Sequence, residues 1–455
     1  MQLKPGAVAA TLGALAAGLL GATPAAAEDA PNGTEAHLNA YNETASEPGT
    51  LIAETALLAY EEDQGRVRAL EGEASLTWND ANGSVFAGKF TYDSLTGATP
   101  NGAIRSVNPQ RFQPPTDPAA NGGHLPALCP IDGCTGSSGT YVTPAGELPV
   151  DHGFKDHREA VDIGATLPVA EGLKLSFGGA MSNETDYTSH SARIGLAKDL
   201  NQKNTTLSLG FNYERDRSAP FTGVPQPLGD MGSRLIGRAR VKQVYSLVAG
   251  VTQVLTPNWL VQLNYSYGHS AGYHTDPYKL VSLVDSFTGD PFFSVYEKRP
   301  GERNRHSIYA GTKLALGSYV TDASVRWYHD SWKIDAWTVA FSEHVPVGHS
   351  LYLEPEARWY HQTAASFFRH YLLIEDPLPA YASADSRLSR FGAWTLGVKG
   401  GAKLSQRIEL YGAAERYWQY GRHFDRSLPG NLATTDLFAG SKSFSLIAGL
   451  RLKFH

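Results

Sequence analysis

The chain has 455 residues, of which 42% are apolar, 46 are glycine and 22 are tyrosine, and its formal charge is −6. Such a mild negative charge gives no reason to expect a nucleic-acid partner. A composition rich in glycine and aromatic residues suits strands and tight turns, so the length corresponds either to about two or three ordinary domains or to one large β architecture.

The N-terminus has the pattern of an export signal. Lys4 precedes a short apolar stretch at residues 7–22, and the small residues of "PAAAE" predict cleavage after Ala27. A membrane anchor is the alternative, but the apolar run is shorter than the roughly 18 residues that a spanning helix needs. We therefore predict a signal peptide at 1–27, followed at 28–50 by a polar, flexible periplasmic leader.

From residue 51 onward, apolar residues recur at every second position. In "TLSLGFNY", for example, Leu207, Leu209 and Phe211 share one face of the predicted strand. Each clear segment is about 9–11 residues long, the length that a tilted strand needs to cross a bilayer. We predict about sixteen strands, near 52–60, 67–78, 84–93, 158–168, 172–182, 186–198, 203–215, 241–255, 258–268, 305–316, 319–329, 332–345, 350–362, 391–404, 407–419 and 442–454.

The connections between these segments alternate in length. Turns such as "LTPN" and "LSQ" follow even-numbered strands, and every long connection follows an odd-numbered one. A soluble β-sandwich gives no reason for this alternation, whereas an outer-membrane barrel has tight periplasmic turns and long outer loops. Residues 51–455 are therefore predicted to form an all-β, transmembrane, antiparallel up-and-down barrel in the bacterial outer membrane. The long connections are 94–157, 216–240, 269–304, 363–390 and 420–441.

One face of the predicted strands is apolar and needs lipid as its partner, while closure of the barrel satisfies every strand edge. Outer-membrane lipid is therefore an expected partner. Aromatic residues near strand ends support this prediction, because membrane barrels carry aromatic girdles at both interfaces. The tryptophans that lie near predicted strand ends on the apolar parity are Trp259, Trp327, Trp359 and Trp394.

Two cysteines, Cys129 and Cys134, stand in "LCPIDGC" within a predicted outer loop. Outside the cytoplasm, two nearby cysteines indicate a disulfide that closes a small loop. A metal site would need further ligands close by, and a redox pair has a different spacing. We predict a disulfide between them and assign it no functional role.

The inward-facing parity carries charges of both signs. They indicate either a water-filled pore, whose opposed acidic and basic sides set up a field for polar solutes, or a salt-bridged plug. Inward tyrosines suit sugar stacking or, more simply, lumen packing. These tyrosines are Tyr309, Tyr328, Tyr352, Tyr360 and Tyr411. The pore candidates are Asp322, Arg326, Tyr352, Glu354, Glu356, Arg358, Lys399, Lys403 and Arg451.

The sequence contains none of the catalytic signatures GxSxG, HExxH or CxxCH, so we predict no enzyme, no cofactor and no resident metal. A weaker hypothesis is metal capture at the outer mouth, since imidazole and carboxylate suit divalent transition metals. The residues concerned lie on different loops and no common spacing unites them. They are His269, His274, Asp276, His329, His361 and His423.

Four segments of the chain are similar to a bacterial family identified as domain of unknown function 3570. They lie at 92–103, 270–285, 296–300 and 352–368, and include "YDSLTGATPNGA" and "YLEPEARWYHQTAASFF". The resemblance implies an outer-membrane β-barrel of Gram-negative bacteria without an established activity. Members of that family are often encoded beside periplasmic lipoproteins, thioredoxin-like proteins and flavin transferases, which implies a periplasmic partner in an envelope redox setting.

The closing segment "LIAGLRLKFH" resembles the C-terminal signal that the barrel-assembly machinery recognises. Gly449, Leu452 and Phe454 match its glycine, apolar and aromatic positions. Ile447 departs from the pattern, which prefers a polar residue there, and His455 follows the usual terminal aromatic residue. Phe454 is predicted to face lipid.

The function predicted from the sequence is that of a channel or transport component for a small polar solute. The alternative is a non-conducting barrel that scaffolds a periplasmic or surface partner.

Overall fold

The computed structural model describes residues 48–115 and 140–454. Sixteen strands close into one antiparallel barrel, in which every strand pairs with its neighbours in the chain and the last pairs with the first. The barrel strands are β1 (Thr50–Glu62), β2 (Val67–Asn79), β3 (Val85–Gly97), β4 (Lys155–Ala170), β5 (Leu173–Glu184), β6 (Tyr187–Leu200), β7 (Thr205–Ser218), β8 (Arg240–Thr256), β9 (Trp259–Gly272), β10 (Glu302–Leu316), β11 (Tyr319–Asp330), β12 (Asp335–Val347), β13 (Leu351–Gln362), β14 (Phe391–Lys403), β15 (Ile408–Tyr420) and β16 (Lys442–Phe454).

The prediction of a sixteen-stranded antiparallel barrel is confirmed, and each strand overlaps one predicted segment. Strands β1–β11 are longer than predicted, with up to 17 residues in β8, whereas β12–β16 have the predicted length or are one residue shorter. A bilayer needs only about 9–11 residues of a tilted strand. At the loop end of β7, the residues beyond the predicted strand are Asp216, Arg217 and Ser218, and all three are polar, so the apolar periodicity ends before the hydrogen-bonded ladder does.

The two ends of the barrel differ in their connections. At the turn end, the connections between strands are short, and β1 begins and β16 ends there. Two glycines in these turns, Gly317 and Gly348, have φ values of +66° and +69°, a conformation that favours glycine. The long connections all lie at the opposite, loop end, as predicted. The turn-end connections are 80–84, 171–172, 201–204, 257–258, 317–318, 348–350 and 404–407.

Side chains alternate between an apolar outer surface and a polar interior. On β7, Leu207, Leu209 and Phe211 are exposed on the outside, whereas Asn212 is buried on the inside. In water, such a continuous apolar surface would be an aggregation site, but hydrocarbon satisfies it. Closure between β1 and β16 leaves no barrel edge with unpaired amides.

Aromatic residues border the apolar surface at both ends. At the loop end, Trp327 stands opposite Trp337, and Trp394 lies between Trp359 and Trp418 in the strand register. At the turn end, Trp259 begins β9. Trp337 and Trp418 extend the girdle beyond the tryptophans singled out from the sequence.

The closing strand packs a glycine against an aromatic ring. Gly449 lies on the inner face beneath Tyr411, where an added Cβ would stand 2.1 Å from the ring carbon Cζ. Gly401 accommodates Tyr352 in the same way. A ring that covers a glycine restores the packing which the missing side chain would otherwise forfeit. Leu452 shares the outward parity of Phe454, which lies opposite Leu51 of β1.

The long connections pack together at the loop end into a structure that we call the cap, comprising 98–115, 140–154, 219–239, 273–301, 363–390 and 421–441. A small sheet at its centre places Leu280–Val284 between Pro291–Tyr296 and Tyr371–Leu373. Val281, Val284 and Leu432 are completely buried there. The cap therefore has a hydrophobic core of its own, separate from the barrel wall.

Within residues 48–115 and 140–454, no helix is long and apolar enough to cross a membrane. The signal peptide 1–27, nearly all of the leader 28–50, and the cysteines Cys129 and Cys134 lie outside the described residues. Cleavage after Ala27 and the disulfide stay predictions.

Candidate functional site

The sequence-predicted pore residues lie on the inner parity of four strands. Asp322 and Arg326 are on β11, Lys399 and Lys403 on β14, and Arg451 on β16, while the others are on β13. Register brings Glu354 opposite Lys399 and Arg358 opposite Thr395.

A network of polar side chains joins the first strand of the barrel to the last two. Arg451 forms ion pairs with Glu54 of β1 at 3.2 Å and with Glu409 of β15 at 3.5 Å. Tyr411 donates a hydrogen bond to Glu54 at 2.8 Å, and Tyr352 donates one to Glu409 at 2.7 Å. One guanidinium thereby balances two carboxylates across the seam where the barrel closes.

A second network lies beside the first on β12–β14. Glu354 forms an ion pair with Lys399 at 3.3 Å and a hydrogen bond with His344 Nδ1 at 2.7 Å. The ammonium group of Lys399 also lies 5.3 Å from the ring centre of Tyr411. Cation–π contacts of this kind hold a lysine against the wall instead of letting it extend into the lumen.

The remaining predicted residues also bind close neighbours. Arg326 donates to Ser307 at 2.9 Å, and Arg358 donates to Thr395 at 3.2 Å. The Lys403 ammonium lies 5.9 Å from the ring centre of Tyr352. Glu356 lies against Gly397 of β14.

The inner ion pairs of the described residues join strands that are adjacent or separated by one strand. Acidic and basic residues are thus interleaved around the wall, and the predicted division into an acidic side and a basic side is wrong. Cross-strand register decides this arrangement, and periodicity within one strand does not reveal it. Further pairs are Glu73–Lys89, Asp93–Arg158, Asp162–Arg193 and Asp322–Lys313, at 3.3, 2.5, 2.5 and 3.6 Å.

The exposure of the inner charges differs from one ion pair to another. Near the turn end, the side chain of Lys313 is 28% exposed and that of Asp322 is 43% exposed. At the loop end, Asp216 and Asp330 are 1% and 0% exposed, and Arg303 is also buried. The ion pair of Arg451 and Glu54 also lies near the turn end, but each of its side chains is only 12% exposed. Solvent therefore reaches some turn-end charges, such as Lys313 and Asp322, but not all of them.

A cluster of buried charges holds the cap together. Arg299 pairs with Glu297 at 2.6 Å and with Asp385 at 2.7 Å, and Arg387 pairs with Asp385 at 2.6 Å and with Asp276 at 3.1 Å. Glu297 and Asp385 are 0% and 1% exposed. Two long loops supply these residues, 273–301 and 363–390, so the ion pairs lock one loop to the other.

Asp385 is the centre of this cluster. Burial acts to raise its pKa, but Arg387, Lys279 and Arg299 outweigh burial and hold the pKa of this carboxyl well below its usual range. The charged form is therefore the one that the folded cap stabilises. Loss of this charge would leave the buried guanidinium of Arg299 with only one of its two carboxylates.

The histidines of the metal-capture hypothesis have separate partners. His269 contacts Asn304, His274 contacts Ser270, and His361 stacks on Trp359. Among the described residues, no group of three or more His, Cys, Asp or Glu side chains could hold a metal ion. The hypothesis of a shared metal site for this set is therefore wrong. The other contacts are His329–Asp335, His423–Asp436 and Asp276–Arg387.

His274, in the cap, predicts a pH dependence of cap stability. Burial, together with repulsion by Lys242, Arg303 and Arg299, lowers its pKa from 6.5 to about 4. As the pH falls from about 6.5 to about 4, the unfolded cap takes up a proton that the folded cap does not, so stability is lost.

Protease resistance of the cap, followed between pH 7 and pH 4, measures this effect. We expect His274→Gln to weaken the pH dependence, and the matched change His349→Gln, in an exposed turn at the opposite end, to leave it unaltered. Equal pH profiles for wild type and His274→Gln would contradict the assignment.

The polar networks include residues that sequence reasoning missed. Glu54 lies on β1, and 397 positions separate it from Arg451. His344 and Glu409 lie on inward parities of β12 and β15, so the alternation of "VAFSEH" and "IELYG" carried a signal that could have identified them.

Comparison with solved structures finds barrels at low similarity. A bacterial polysaccharide outer membrane secretin has 9% identity and a TM-score of 0.42, over 90% of this chain and 99% of that chain. CdiB from Acinetobacter baumannii has 8% identity and a TM-score of 0.42, over 89% and 60%. The CymD monoaromatic hydrocarbon channel has 9% identity and a TM-score of 0.38, over 90% and 90%. Structural similarity at this level gives no information about the function of the barrel.

No curated protein matches the chain. The family described as "Protein of unknown function (DUF3570)" matches residues 10–451, which is nearly the whole sequence. The chain therefore belongs to this family, as the four segments recognised in the sequence suggested.

Proposed function

We propose that this protein is a non-enzymatic channel or transport component of the bacterial outer membrane, and that it carries a small polar solute. The main support for this proposal is the arrangement of the inner charges. They pair along the wall, between neighbouring strands, and pairs such as Lys89–Glu73 and Lys313–Asp322 retain access to solvent.

A salt-bridged plug would require a different arrangement. Its charges would pair across the lumen, because opposed walls have to meet to exclude water. Barrels of about sixteen strands are wide enough to leave an aqueous channel when their wall side chains stay at the wall. Ion pairs such as Lys399–Glu354 and Arg451–Glu54 hold long side chains in that position.

The interleaved signs favour a solute that carries hydrogen-bonding groups but little net charge. A ring of one sign would select ions of the opposite sign, whereas alternating charges present donors and acceptors without a large net field. Inward tyrosines such as Tyr309, Tyr352 and Tyr411 add hydroxyl and ring surfaces to the same wall. Solute passage then requires the cap to open, because cap residues cover the loop end.

A second candidate function is a non-conducting barrel that scaffolds a periplasmic or surface partner. The observation that favours it is the cap itself, whose buried charge cluster gives it a fixed shape suitable for recognition. Under this alternative, the cap stays closed and the lumen has no transport role.

Planar-bilayer recording of the purified, refolded protein separates the two functions. We expect open-channel steps, and we expect Glu354→Gln or Arg358→Ala to change the cation-to-anion permeability ratio by roughly twofold because each alters one charge of the inner wall. Arg416→Gln, on the lipid-facing parity of β15, is the matched control and is expected to leave the ratio unchanged.

A silent barrel that co-purifies with a periplasmic protein would favour the scaffold and contradict the channel. If the protein conducts but neither variant changes the permeability ratio, then Glu354 and Arg358 do not influence the selectivity of the channel.

A further inference from the structure

The segment "YERDRS" at the loop end of β7 alternates charges of opposite sign. Glu214 and Asp216 face the barrel interior, where both are buried and Asp216 pairs with Lys242 at 3.3 Å. Arg215 and Arg217 lie on the lipid-facing parity, and both are exposed. The strand thus places two neighbouring guanidinium groups on the outer surface of the barrel.

The strands on either side supply no acidic partner for these arginines. Arg215 stands opposite His190 of β6 and Gln243 of β8. Arg217 stands opposite Thr188 and Val241 in the same register. Within residues 48–115 and 140–454, neither arginine takes part in an ion pair.

Other arginines on this surface are neutralised within the protein. Arg416, on the lipid-facing parity of β15, pairs with Asp63 at 2.8 Å. Arg68, on the same parity of β2, pairs with Glu61 at 2.8 Å. The chain therefore pairs comparable arginines around the loop-end rim, and the positive charge at β7 contrasts with them.

The aromatic residues beside Arg215 and Arg217 indicate where the two arginines lie along the membrane normal. Tyr213 precedes Arg215 on the same face of β7, and its ring lies 5.2 Å from that of Tyr245 on β8. Tyrosines of a membrane barrel mark the level of lipid headgroups. The two guanidinium groups follow directly on the loop side of that level, where the phosphates of an anionic lipid are found.

We propose that Arg215 and Arg217, with His190 beside them, bind the phosphate of a phosphorylated lipid headgroup in the leaflet at the loop end. The planar guanidinium presents paired N–H donors that match two phosphate oxygens, which an ammonium group does not. A phosphate at this site would supply the negative charge that Asp63 and Glu61 supply to Arg416 and Arg68. The site lies on the outer surface, so its function does not depend on conduction through the lumen.

The test uses the full chain, purified in neutral detergent, with diphosphorylated lipid A as the probe and its dephosphorylated form as the comparison. Native mass spectrometry measures how much of each lipid stays bound. We expect wild type to retain the phosphorylated probe at least about tenfold more tightly than the dephosphorylated one, a difference of about 1.4 kcal/mol. The double variant Arg215→Gln/Arg217→Gln is expected to lose this preference.

Arg416→Gln is the matched control, because it removes a rim arginine that already has an acidic partner, and it is expected to retain the preference. The variant Arg215→Lys/Arg217→Lys keeps the charge without the paired donors, so it is expected to bind at an intermediate level and guards against misfolding of the Gln variant. Heat-modifiable gel mobility verifies that each barrel is folded. Wild type that binds both lipids equally, or a folded Gln variant that binds like wild type, would overturn the proposal.

Discussion

Replacement of Asp385 by Asn is expected to destabilise the cap by about 3–5 kcal/mol, the usual cost of breaking a buried ion pair from one side. Asp385 accepts from Arg299 and Arg387, and it is 1% exposed. Loss of its charge leaves two guanidinium groups partly uncompensated between two long loops. Because the barrel wall has its own ladder of hydrogen bonds, we expect the cap to loosen while the barrel stays intact.

Hydrogen exchange of segments 273–301 and 363–390 measures this effect, and heat-modifiable gel mobility reports on the barrel. Asp376→Asn is the matched control, since Asp376 is an exposed carboxylate in the same connection as Asp385. If exchange in both segments were the same in Asp385→Asn as in wild type, the buried cluster would not be what holds the cap together.

The second large effect is expected from Gly449→Ala in the closing strand. The new methyl carbon would stand 2.1 Å from Tyr411 Cζ, so the ring has to move away and its hydrogen bond to Glu54 is lost. Overpacking of this kind costs about 1–3 kcal/mol. The loss falls at the seam between β16 and β1, and it is expected to lower the temperature at which the folded barrel band converts to the unfolded band on gels.

Gly88→Ala is the matched control, because an added Cβ at that position meets nothing within 4 Å. Gly88→Ala is expected to leave the conversion temperature unchanged or to raise it slightly, since alanine loses less backbone entropy on folding than glycine does. The double variant Gly449→Ala/Tyr411→Ala separates steric overlap from other causes: overlap predicts partial recovery relative to Gly449→Ala. No recovery would show that the ring is not what the methyl group meets.

The barrel could be predicted from the sequence because lipid imposes a rule that each strand displays locally. Alternation such as Leu207, Leu209 and Phe211, together with the odd-and-even sorting of loop lengths, needs no knowledge of distant contacts. Some strand ends, such as that of β7, were placed too early because residues such as Arg217 continue the ladder after the apolar pattern has ended.

The polar networks could be predicted only in part, because they depend on register between strands. The inward parity of Glu354 and Arg451 followed from local alternation. Their partners did not, since Glu54 lies at the other end of the chain from Arg451, and the interleaving of signs around the wall appears only when neighbouring strands are aligned. The same is true of the cap, where Asp385 meets Arg299 from a different loop.

We propose that the inner charges line a water-filled lumen that opens at the turn end and is covered by the cap at the loop end. The measurement is thiol labelling of Asp322→Cys, in a background with Cys129→Ser and Cys134→Ser, after reconstitution into vesicles. Phe287→Cys in the cap and Ser405→Cys in a turn report which end faces the reagent, since both positions are exposed.

A membrane-impermeant maleimide is applied to one side of the bilayer at a time. We expect Asp322→Cys to react from the turn end and to react at least about tenfold more slowly from the loop end, which corresponds to a cap held closed by 1.4 kcal/mol or more. Failure to react from the turn end would indicate a plugged lumen, and equal rates from both ends would show that the cap does not cover it. Either result would contradict a water-filled lumen that the cap closes at the loop end.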